Sequence, residues 1–229
     1  MTDDAHEKHV KYKWSYSSLS LFQQCPRKFY RLKVVKNVVE PEGQHLIYGK
    51  ELHKAAEEYV RDGTEIPPQF AFVKSYLDIF KSLSGDQLCE YQMGLTKSIE
   101  PCGFFDENVW WRGVADLLIV DGESAILVDY KTGKSARYAD TKQLEILSLA
   151  VFKHFPKVQH IKAGLLFVVS KEFVQCEFFR DGQKELWTNW FGELQRLEKA
   201  YEHSIWNPQP NFTCRNHCPV QDCEYHGKN

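Results

Sequence analysis

Hydrophobic residues recur at helical intervals in the first third of the chain. Between residues 45 and 63, apolar residues stand at positions 46, 47, 52, 55, 56, 59 and 60, and the segment ends at Gly63. This spacing gives a helix one apolar stripe, and glycine commonly follows the last residue of a helix. We therefore predict a helix that carries His53, followed by a second helix from about Pro68 to Leu83.

An earlier helical pattern is interrupted near residue 25. Serines suited to capping a helix precede Leu19 and Phe22, which stand three residues apart. Pro26 interrupts this helix, but proline is tolerated in a first helical turn, so residues 27–34 are predicted to start a new one. Cys25 would then lie at the joint between the two helices, where its thiol is well exposed for ligation.

After residue 83 the pattern changes to short runs typical of β-strands. Three such runs come first, at 87–98, 108–120 and 124–132. They are followed by a helical run at 139–155, two strand-like runs at 162–170 and 173–180, and a long helical run at 184–203. This order predicts an α/β fold with a mixed central sheet flanked by helices.

The pair Asp121-Gly122 between the second and third runs favours a tight hairpin. A turn at residues 121 and 122 pairs residue 120 with 123, and hence Asp116 with residue 127. Because side chains alternate along a strand, Asp129 and Lys131 share that face, with the two aspartates diagonal at a backbone separation of roughly 7–8 Å. A turn of any even length preserves this result, whereas an odd length or a bulge would break it.

Two carboxylates that converge on one face repel each other unless a cation lies between them. Carboxylates are ligands that Mg²⁺ and Mn²⁺ prefer. The alternative is a solvated pair of Asp129 and Lys131 on an exposed sheet face. The apolar residues AILV before Asp129 and LLIV after Asp116 favour a buried site instead.

Size and composition indicate a globular chain. It has 229 residues, 43% of them hydrophobic, which is enough for one compact domain. The net charge of -2 gives no general attraction to nucleic acid, so phosphate contacts would need local basic clusters such as those in 27–33 and 134–142. No apolar run approaches the roughly 20 residues that span a bilayer, and the start is too polar for a signal peptide, so we expect a cytoplasmic protein without a membrane partner.

Seven cysteines in a cytoplasmic chain are not expected to form a disulfide scaffold. Cys89, Cys102 and Cys176 stand singly and suit buried or loop positions. The last three cysteines of the chain lie close together in a tail that has little capacity to pack by itself. They are Cys214, Cys218 and Cys223. The tail therefore needs something to organise it.

Four segments resemble the RecB-type branch of the PD-(D/E)XK nucleases. They are YSSLSLFQQCPRKF, YGKELHKAAE with a G-x3-H motif at Gly49 and His53, GVADLLIV, and ILVDYKTGK followed by a helix with Gln143. The resemblance covers nearly the whole chain. It implies a restriction-endonuclease-like core and a metal-dependent exonuclease that acts on single-stranded DNA or DNA ends, in bacterial or phage DNA processing, recombination or repair.

The resemblance also implies roles for individual residues. The ligands of one or two Mg²⁺ or Mn²⁺ ions would be His53, Asp116, Asp129 and the backbone carbonyl of Tyr130. Lys131 would orient or deprotonate the attacking water. Gln143 would open the Q-x3-Y motif, which is associated with substrate positioning, although Leu147 stands at the tyrosine position. Glu90 would support the site from behind the ligands, or is an ordinary exposed strand residue.

The cysteines resemble the four-cysteine iron–sulfur site of AddB-type and small CRISPR-associated nucleases. This implies a [4Fe–4S] cluster on Cys25, Cys214, Cys218 and Cys223. The spacing here is C-x3-C-x4-C instead of the C-x2-C-x5-C of those relatives, with His217 at the expected second position. Zn²⁺ on the thiolates, or on thiolates with His217 or His226, is the alternative.

The predicted organisation is one nuclease domain over 1–229. It consists of a helical part (1–83), a catalytic α/β core (84–204) and a Cys-rich tail (205–229) that packs back near Cys25. Two other functions stay open: a catalytically weak DNA-binding accessory subunit that holds a metal cluster, and a zinc-stabilised interaction protein. The presence of Asp116, Asp129 and Lys131 together favours catalysis.

Overall fold

The computed structural model describes residues 12–137 and 139–228. Most of the polar start, which we interpreted as lacking a signal peptide, lies outside the described residues. The chain forms two compact units: one combines the described residues up to Pro41 with those from Thr188 onward, and the other is Glu42–Trp187. No helix among the described residues is long and apolar enough to cross a membrane. The division of one domain at residues 83 and 204 stays a prediction.

The Glu42–Trp187 unit contains a six-stranded sheet. Its strands are β1 Asp86–Leu95, β2 Pro101–Cys102, β3 Trp111–Asp121, β4 Ser124–Lys131, β5 His160–Phe167 and β6 Glu172–Phe179. The order across the sheet is β2-β1-β3-β4-β5-β6. Only β4 and β5 run parallel, because helix α5, Lys142–His154, returns the chain between them. The predicted mixed α/β fold is therefore confirmed.

Helices α3, Gln44–Asp62, and α4, Lys74–Ser82, pack against this sheet. A short 3₁₀ helix at Pro68–Val73 precedes α4. Fully buried side chains join the layers: Leu52 and Leu77 from the helices meet Leu117 and Val128 from the strands. The predicted end of α3 is confirmed, since Gly63 caps it with a left-handed φ of 73°.

Helix α5 is almost entirely buried, from Leu144 to Phe152. It packs closely on β3, where a Cβ atom at Gly113 would lie 2.9 Å from Leu147 Cδ2 and 2.4 Å from the Trp111 ring. A side chain larger than hydrogen therefore does not fit at position 113. Leu147, the residue in place of the family tyrosine, is 2% exposed and belongs to this packing.

The other unit is built from short helices around aromatic side chains. Helix α1, Tyr16–Gln24, is capped by Ser15, and α2, Pro26–Phe29, continues as a π-helical turn at Tyr30–Val34. The predicted restart of the helix at the proline is thus confirmed. Helix α6 spans Gln183–His203 and contributes its residues from Thr188 onward to this unit. Trp206 then stacks on Phe29 and Tyr30.

Two details of the sheet differ from the prediction. The hairpin between β3 and β4 turns at residues 122 and 123, so Val120 pairs with Ala125 and Leu117 with Val128. The predicted pairing of residue 120 with 123, and of Asp116 with 127, is wrong by two positions, which leaves the parity unchanged. The two-residue strand β2 was not predicted, because so short a segment carries no alternation of its own.

Candidate active site

Three acidic residues stand side by side on neighbouring strands. The pairs Cys89–Leu117 and Tyr91–Ala115 place Glu90 of β1 opposite Asp116 of β3. The β3–β4 register, continued one position beyond its last pair, brings Asp116 next to Asp129 of β4. In this register the two aspartates lie opposite each other and not diagonally as predicted.

The backbone at Glu90 is unusual, with a φ of 47°. A positive φ is rare for residues other than glycine, costs on the order of 1–3 kcal/mol, and concentrates at functional sites. The side chain of Glu90 thereby reaches the site within 3.8 Å of His53 Nδ1.

Strands β3 and β4 separate where the aspartates lie. Their ladder ends at the pair of Leu117 and Val128. Beyond it, the Tyr130 amide donates a 2.7 Å hydrogen bond to Asp116 Oδ2 and not to a β3 carbonyl. The Asp116 carboxylate therefore fills the opening between the strands, and its orientation is fixed by the backbone of β4.

His53 reaches this opening from helix α3. Its Nε2 lies 3.0 Å from the Tyr130 carbonyl oxygen, and its Nδ1 lies 3.4 Å from Asp116 Oδ1. Burial on its own lowers the pKa of His53, but hydrogen bonds to Asp116 and Glu90 outweigh burial and raise the pKa to about 10. The imidazole therefore lies in a strongly negative environment.

Asp129, Lys131 and Gln143 form a closed triangle of polar contacts. Gln143 Nε2 donates to Asp129 Oδ1 at 2.6 Å, and Lys131 Nζ donates to Gln143 Oε1 at 2.7 Å. Lys131 Nζ also lies 2.6 Å from Asp129 Oδ2 as an ion pair. The amide of Gln143 combines an NH2 group that donates with a carbonyl oxygen that accepts, so it matches the carboxylate on one side and the ammonium on the other.

Asp129 is the most buried acid of the site, at 3% exposure. Burial, together with the negative charge of Asp116, raises the pKa of Asp129 to about 7, although Lys131 opposes the shift. Despite the ion pair, its buried Oδ2 receives no well-aligned hydrogen bond from the described residues. A buried carboxylate oxygen of this kind has capacity for a further positive ligand.

These groups fit a divalent cation. One ligand atom each of His53, Glu90 and Asp116 lies within 4.8 Å of the other two. Carboxylate and carbonyl oxygens with one imidazole suit Mg²⁺ and Mn²⁺. Burial is the larger cause of the raised pKa of Asp129, but the charge of Asp116 adds to it, and neighbouring carboxylates raise the pKa of His53, so a cation would offset negative charge at both residues.

An open cleft leads to the site. It has a volume of about 800 Å³ and is lined by one face of α3 and by the end of β4 with the residues after it. Lys50, Lys54 and Lys131 lie on its walls. Gly49 lies beside Thr132, whose Oγ1 would be 3.5 Å from a Cβ at position 49. Glu57 and Glu90 line the cleft as well, so its walls carry charges of both signs.

The four predicted cysteine ligands gather in the other unit. Cys25, Cys214, Cys218 and Cys223 line one small cavity, together with Arg27 and Lys28. Backbone amides of Gln209 and Asn211 donate to the sulfurs of Cys25 and Cys214, each at 3.4 Å. All seven cysteines are free thiols. The cavity is thus lined by four thiols, with N–H donors and cationic residues beside them.

A family model described as the PD-(D/E)XK nuclease superfamily matches residues 13–93 and 86–223. The chain belongs to this superfamily. Superfamily membership makes the chain a nuclease of the phosphodiester-hydrolysing class, in which divalent metals are used. The resemblance inferred from the G-x3-H and D-x-K segments is thereby confirmed at the level of the superfamily.

Two solved structures are similar to this PD-(D/E)XK protein at low sequence identity. A candidate exonuclease from Eubacterium rectale is 12% identical, with a TM-score of 0.49 over 98% of this chain and 91% of that chain. A protein described as SSO0001 is 13% identical, with a TM-score of 0.43 over 97% and 90% of the two chains. No curated protein matches the sequence.

Sequence reasoning did not assign Glu90 to the group of possible metal ligands. The signal that could have found it is its position in the run before β3, since a correct register pairs it with Asp116. The other residues of the predicted site lie together in one unit. They are His53, Asp116, Asp129 and Lys131, and Gln143 bridges Asp129 and Lys131.

Proposed function

We propose that this PD-(D/E)XK protein is a Mg²⁺- or Mn²⁺-dependent deoxyribonuclease. Its substrate would be single-stranded DNA or DNA ends, which it would degrade as an exonuclease in DNA processing, recombination or repair. The observation that carries the proposal is the network of Asp129, Lys131 and Gln143 beside His53 and Asp116. A cytoplasmic setting, in a bacterium or in the host of a phage, belongs to the same proposal and suits free thiols.

The residues that would hold one or two cations are His53, Asp116, Asp129 and the carbonyl of Tyr130, with Glu90 as a further carboxylate beside His53 and Asp116. A bound divalent cation supplies charge neutralisation at the scissile phosphate and lowers the pKa of water. The hydrogen bond from the Tyr130 amide and the contact with Gln143 hold the two aspartates in fixed orientations. Fixed carboxylates bind a cation without a cost for ordering their side chains.

Lys131 would act on the attacking water. Its side chain is 33% exposed, and its ammonium is held between Asp129 and Gln143. An ammonium paired with a carboxylate donates hydrogen bonds, which favours orienting the water and stabilising the negative charge of the five-coordinate transition state. Deprotonation of the water by Lys131 is the alternative that the resemblance also implies.

The test compares Lys131→Ala and Asp116→Ala with the unchanged protein. Lys131→Ala removes a donor to the transition state, which typically costs about 10²–10³ in rate, and Asp116→Ala removes a cation ligand, so both variants are expected to lose Mg²⁺- and Mn²⁺-dependent degradation of single-stranded DNA. Lys162→Ala is the control, since Lys162 is an exposed lysine on β5. Oligonucleotides labelled separately at each end report polarity, and a circular strand reports the need for an end.

Full activity in both site variants would exclude this site. An unchanged protein that binds the strand but does not cleave it would favour the alternative, a catalytically weak accessory subunit. Cleavage of RNA at the same rate as DNA would contradict the assignment as a deoxyribonuclease.

We also propose that Cys25, Cys214, Cys218 and Cys223 hold a [4Fe–4S] cluster. The four cysteines line one cavity, and the sulfurs of Cys25 and Cys214 each accept a hydrogen bond from a backbone N–H at 3.4 Å. Hydrogen bonds to the sulfurs are a feature of iron–sulfur sites, which supports the cluster. Tetrahedral zinc on the same thiolates is the alternative.

Metal analysis after anaerobic purification tests the cluster. Iron and sulfide in equal amounts, lost in Cys218→Ser and kept in Cys89→Ser, are the expected result. Cys89 is a suitable control because it lies on β1, in the other unit. Zinc without iron would contradict the iron–sulfur assignment and leave the zinc alternative.

A further inference from the structure

A second pocket lies beside the π-helical turn in the unit that contains the cysteines. Its volume is about 410 Å³, and it is lined by Arg27, Tyr30 and Arg31 on one side and by residues 204–207 on the other. Ser204 has a left-handed φ of 53°. π-Helical turns and residues with a positive φ are both found frequently at functional sites.

Two guanidinium groups line this pocket. Arg27 Nε donates to the Trp206 carbonyl at 3.0 Å, which anchors the group. Arg31 donates to Asn37 and Asp222, each at 2.8 Å. A guanidinium has five N–H donors, so these contacts with described residues leave donors on both arginines for a ligand. Guanidinium groups bind phosphate oxygens strongly.

An aromatic surface lies next to the arginines. The rings of Tyr30 and Trp206 are stacked, with centroids 5.2 Å apart and planes 22° apart. Trp206 is 8% exposed and is fixed by further contacts with Phe29 and Phe22. Tyr30 is only partly buried, so its ring forms the outer layer of a rigid stack. Rings held in this way are the surfaces on which unpaired bases stack.

The local charge has the sign that a polynucleotide requires. Residues 27–36 contain five basic residues and no acidic residue, in a chain with a net charge of -2. Lys28 pairs with Glu40 and Arg31 pairs with Asp222, each at 2.8 Å, and the other three basic residues of this segment add to the positive field near the pocket.

We propose that this pocket binds one unpaired nucleotide of a DNA strand, with the base on Tyr30 and the phosphate on Arg27 and Arg31. The proposal rests on the proposed function, because the strand would be the substrate of the nuclease. The pocket volume is within the range of about 300–1,000 Å³ for small-ligand sites, which is enough for one nucleotide and not for a duplex. A base inside a duplex is already stacked on its neighbours and does not offer its face.

The test is fluorescence anisotropy of a labelled dT15 strand with the full-length protein in EDTA, where no hydrolysis occurs. Arg31→Gln and Tyr30→Ala are each expected to weaken binding about tenfold, which is the effect of losing one charged or stacking contact. Lys36→Gln is the control, because it removes one positive charge from the same segment and Lys36 does not line the pocket. It is expected to change the affinity for dT15 less than twofold. Thermal melting checks that each variant is folded.

Asp222→Asn separates a ligand contact from a structural ion pair. It removes the same pair as Arg31→Gln but frees the guanidinium, so binding is expected to stay unchanged or to tighten. Arg31 is 19% exposed and Asp222 is 65% exposed in their side chains, and such surface pairs contribute little to folding.

Four results would overturn the proposal. The first is that Arg31→Gln and Lys36→Gln weaken binding of dT15 equally, and the second is that Asp222→Asn weakens it as much as Arg31→Gln does. The third is that the protein binds a duplex as tightly as the single strand. The fourth is that dTMP competes for the pocket at the same concentration as unlabelled dT15. The last result would assign the pocket to a free mononucleotide. Binding that depends on Arg31 in a protein without nuclease activity would keep the pocket and refute only the proposed function.

Discussion

Gln143 is the residue whose replacement tests the active-site network most directly. Its amide connects Asp129, which would bind a cation, to Lys131, which would act on the water. Gln143→Ala removes both contacts and leaves the helix intact, because alanine has the highest helix propensity and Gln143 lies in the first turn of α5.

The expected loss follows from the two hydrogen bonds. A hydrogen bond to a charged group contributes about 1.5–3 kcal/mol when it is buried. The bond to Asp129, at 3% exposure, has that setting, whereas Lys131 is 33% exposed and its bond counts for less. A total of about 3 kcal/mol lost in the transition state corresponds to a rate about a hundredfold lower.

Single-turnover cleavage of a labelled single strand at saturating Mn²⁺ measures this loss. We expect the cleavage rate to fall while KM changes little, since Gln143 orients Lys131 and does not itself form the cleft wall. Gln159→Ala is the matched control, because Gln159 is exposed and, among the described residues, its side chain bonds only to the Lys157 carbonyl.

A cleavage rate within twofold of the unchanged protein would refute this reasoning. So would a loss that is present below saturating Mn²⁺ and absent at saturation, because the amide would then serve only to hold Asp129 for the cation. Gln143→Glu adds a second check: it keeps an acceptor for Lys131 but places a carboxylate beside Asp129, so it should be at least as inactive as Gln143→Ala.

Two further predictions concern Glu90 and the glycines. Glu90→Gln should lower the affinity for Mn²⁺, measured by calorimetry and by the Mn²⁺-dependent rise in Tm. Glu57→Gln in the same cleft is the control and should leave this affinity unchanged. Equal affinities of the two variants would exclude Glu90 as a ligand. Gly113→Ala should destabilise the fold by about 1–3 kcal/mol in urea unfolding because the buried Trp111 and Leu147 occupy the space. Gly49→Ala, with only Thr132 at 3.5 Å, should leave stability equal or higher, and a destabilised Gly49→Ala would contradict this account of both positions.

The positions of helices and strands followed from the sequence because they depend on local patterns. The apolar stripe and terminal glycine of α3, the alternation along β3 and β4, and the proline at the start of α2 each act within a few residues. The parity argument for Asp116 and Asp129 held for the same reason, since an even shift of the turn keeps a side chain on its own face.

The tertiary structure alone decided how these elements meet. The turn at residues 122 and 123, the end of the β3–β4 ladder at Leu117 and the left-handed backbone of Glu90 depend on packing between distant segments. His53 reaches Asp116 only because α3 lies against this part of the sheet, 63 residues earlier in the chain. Likewise, Cys25 meets the tail cysteines across nearly 190 residues. Local spacing predicts which residues can form a site. The distances between those residues depend on how distant segments bury their apolar surface against each other, and a local sequence pattern does not contain that information.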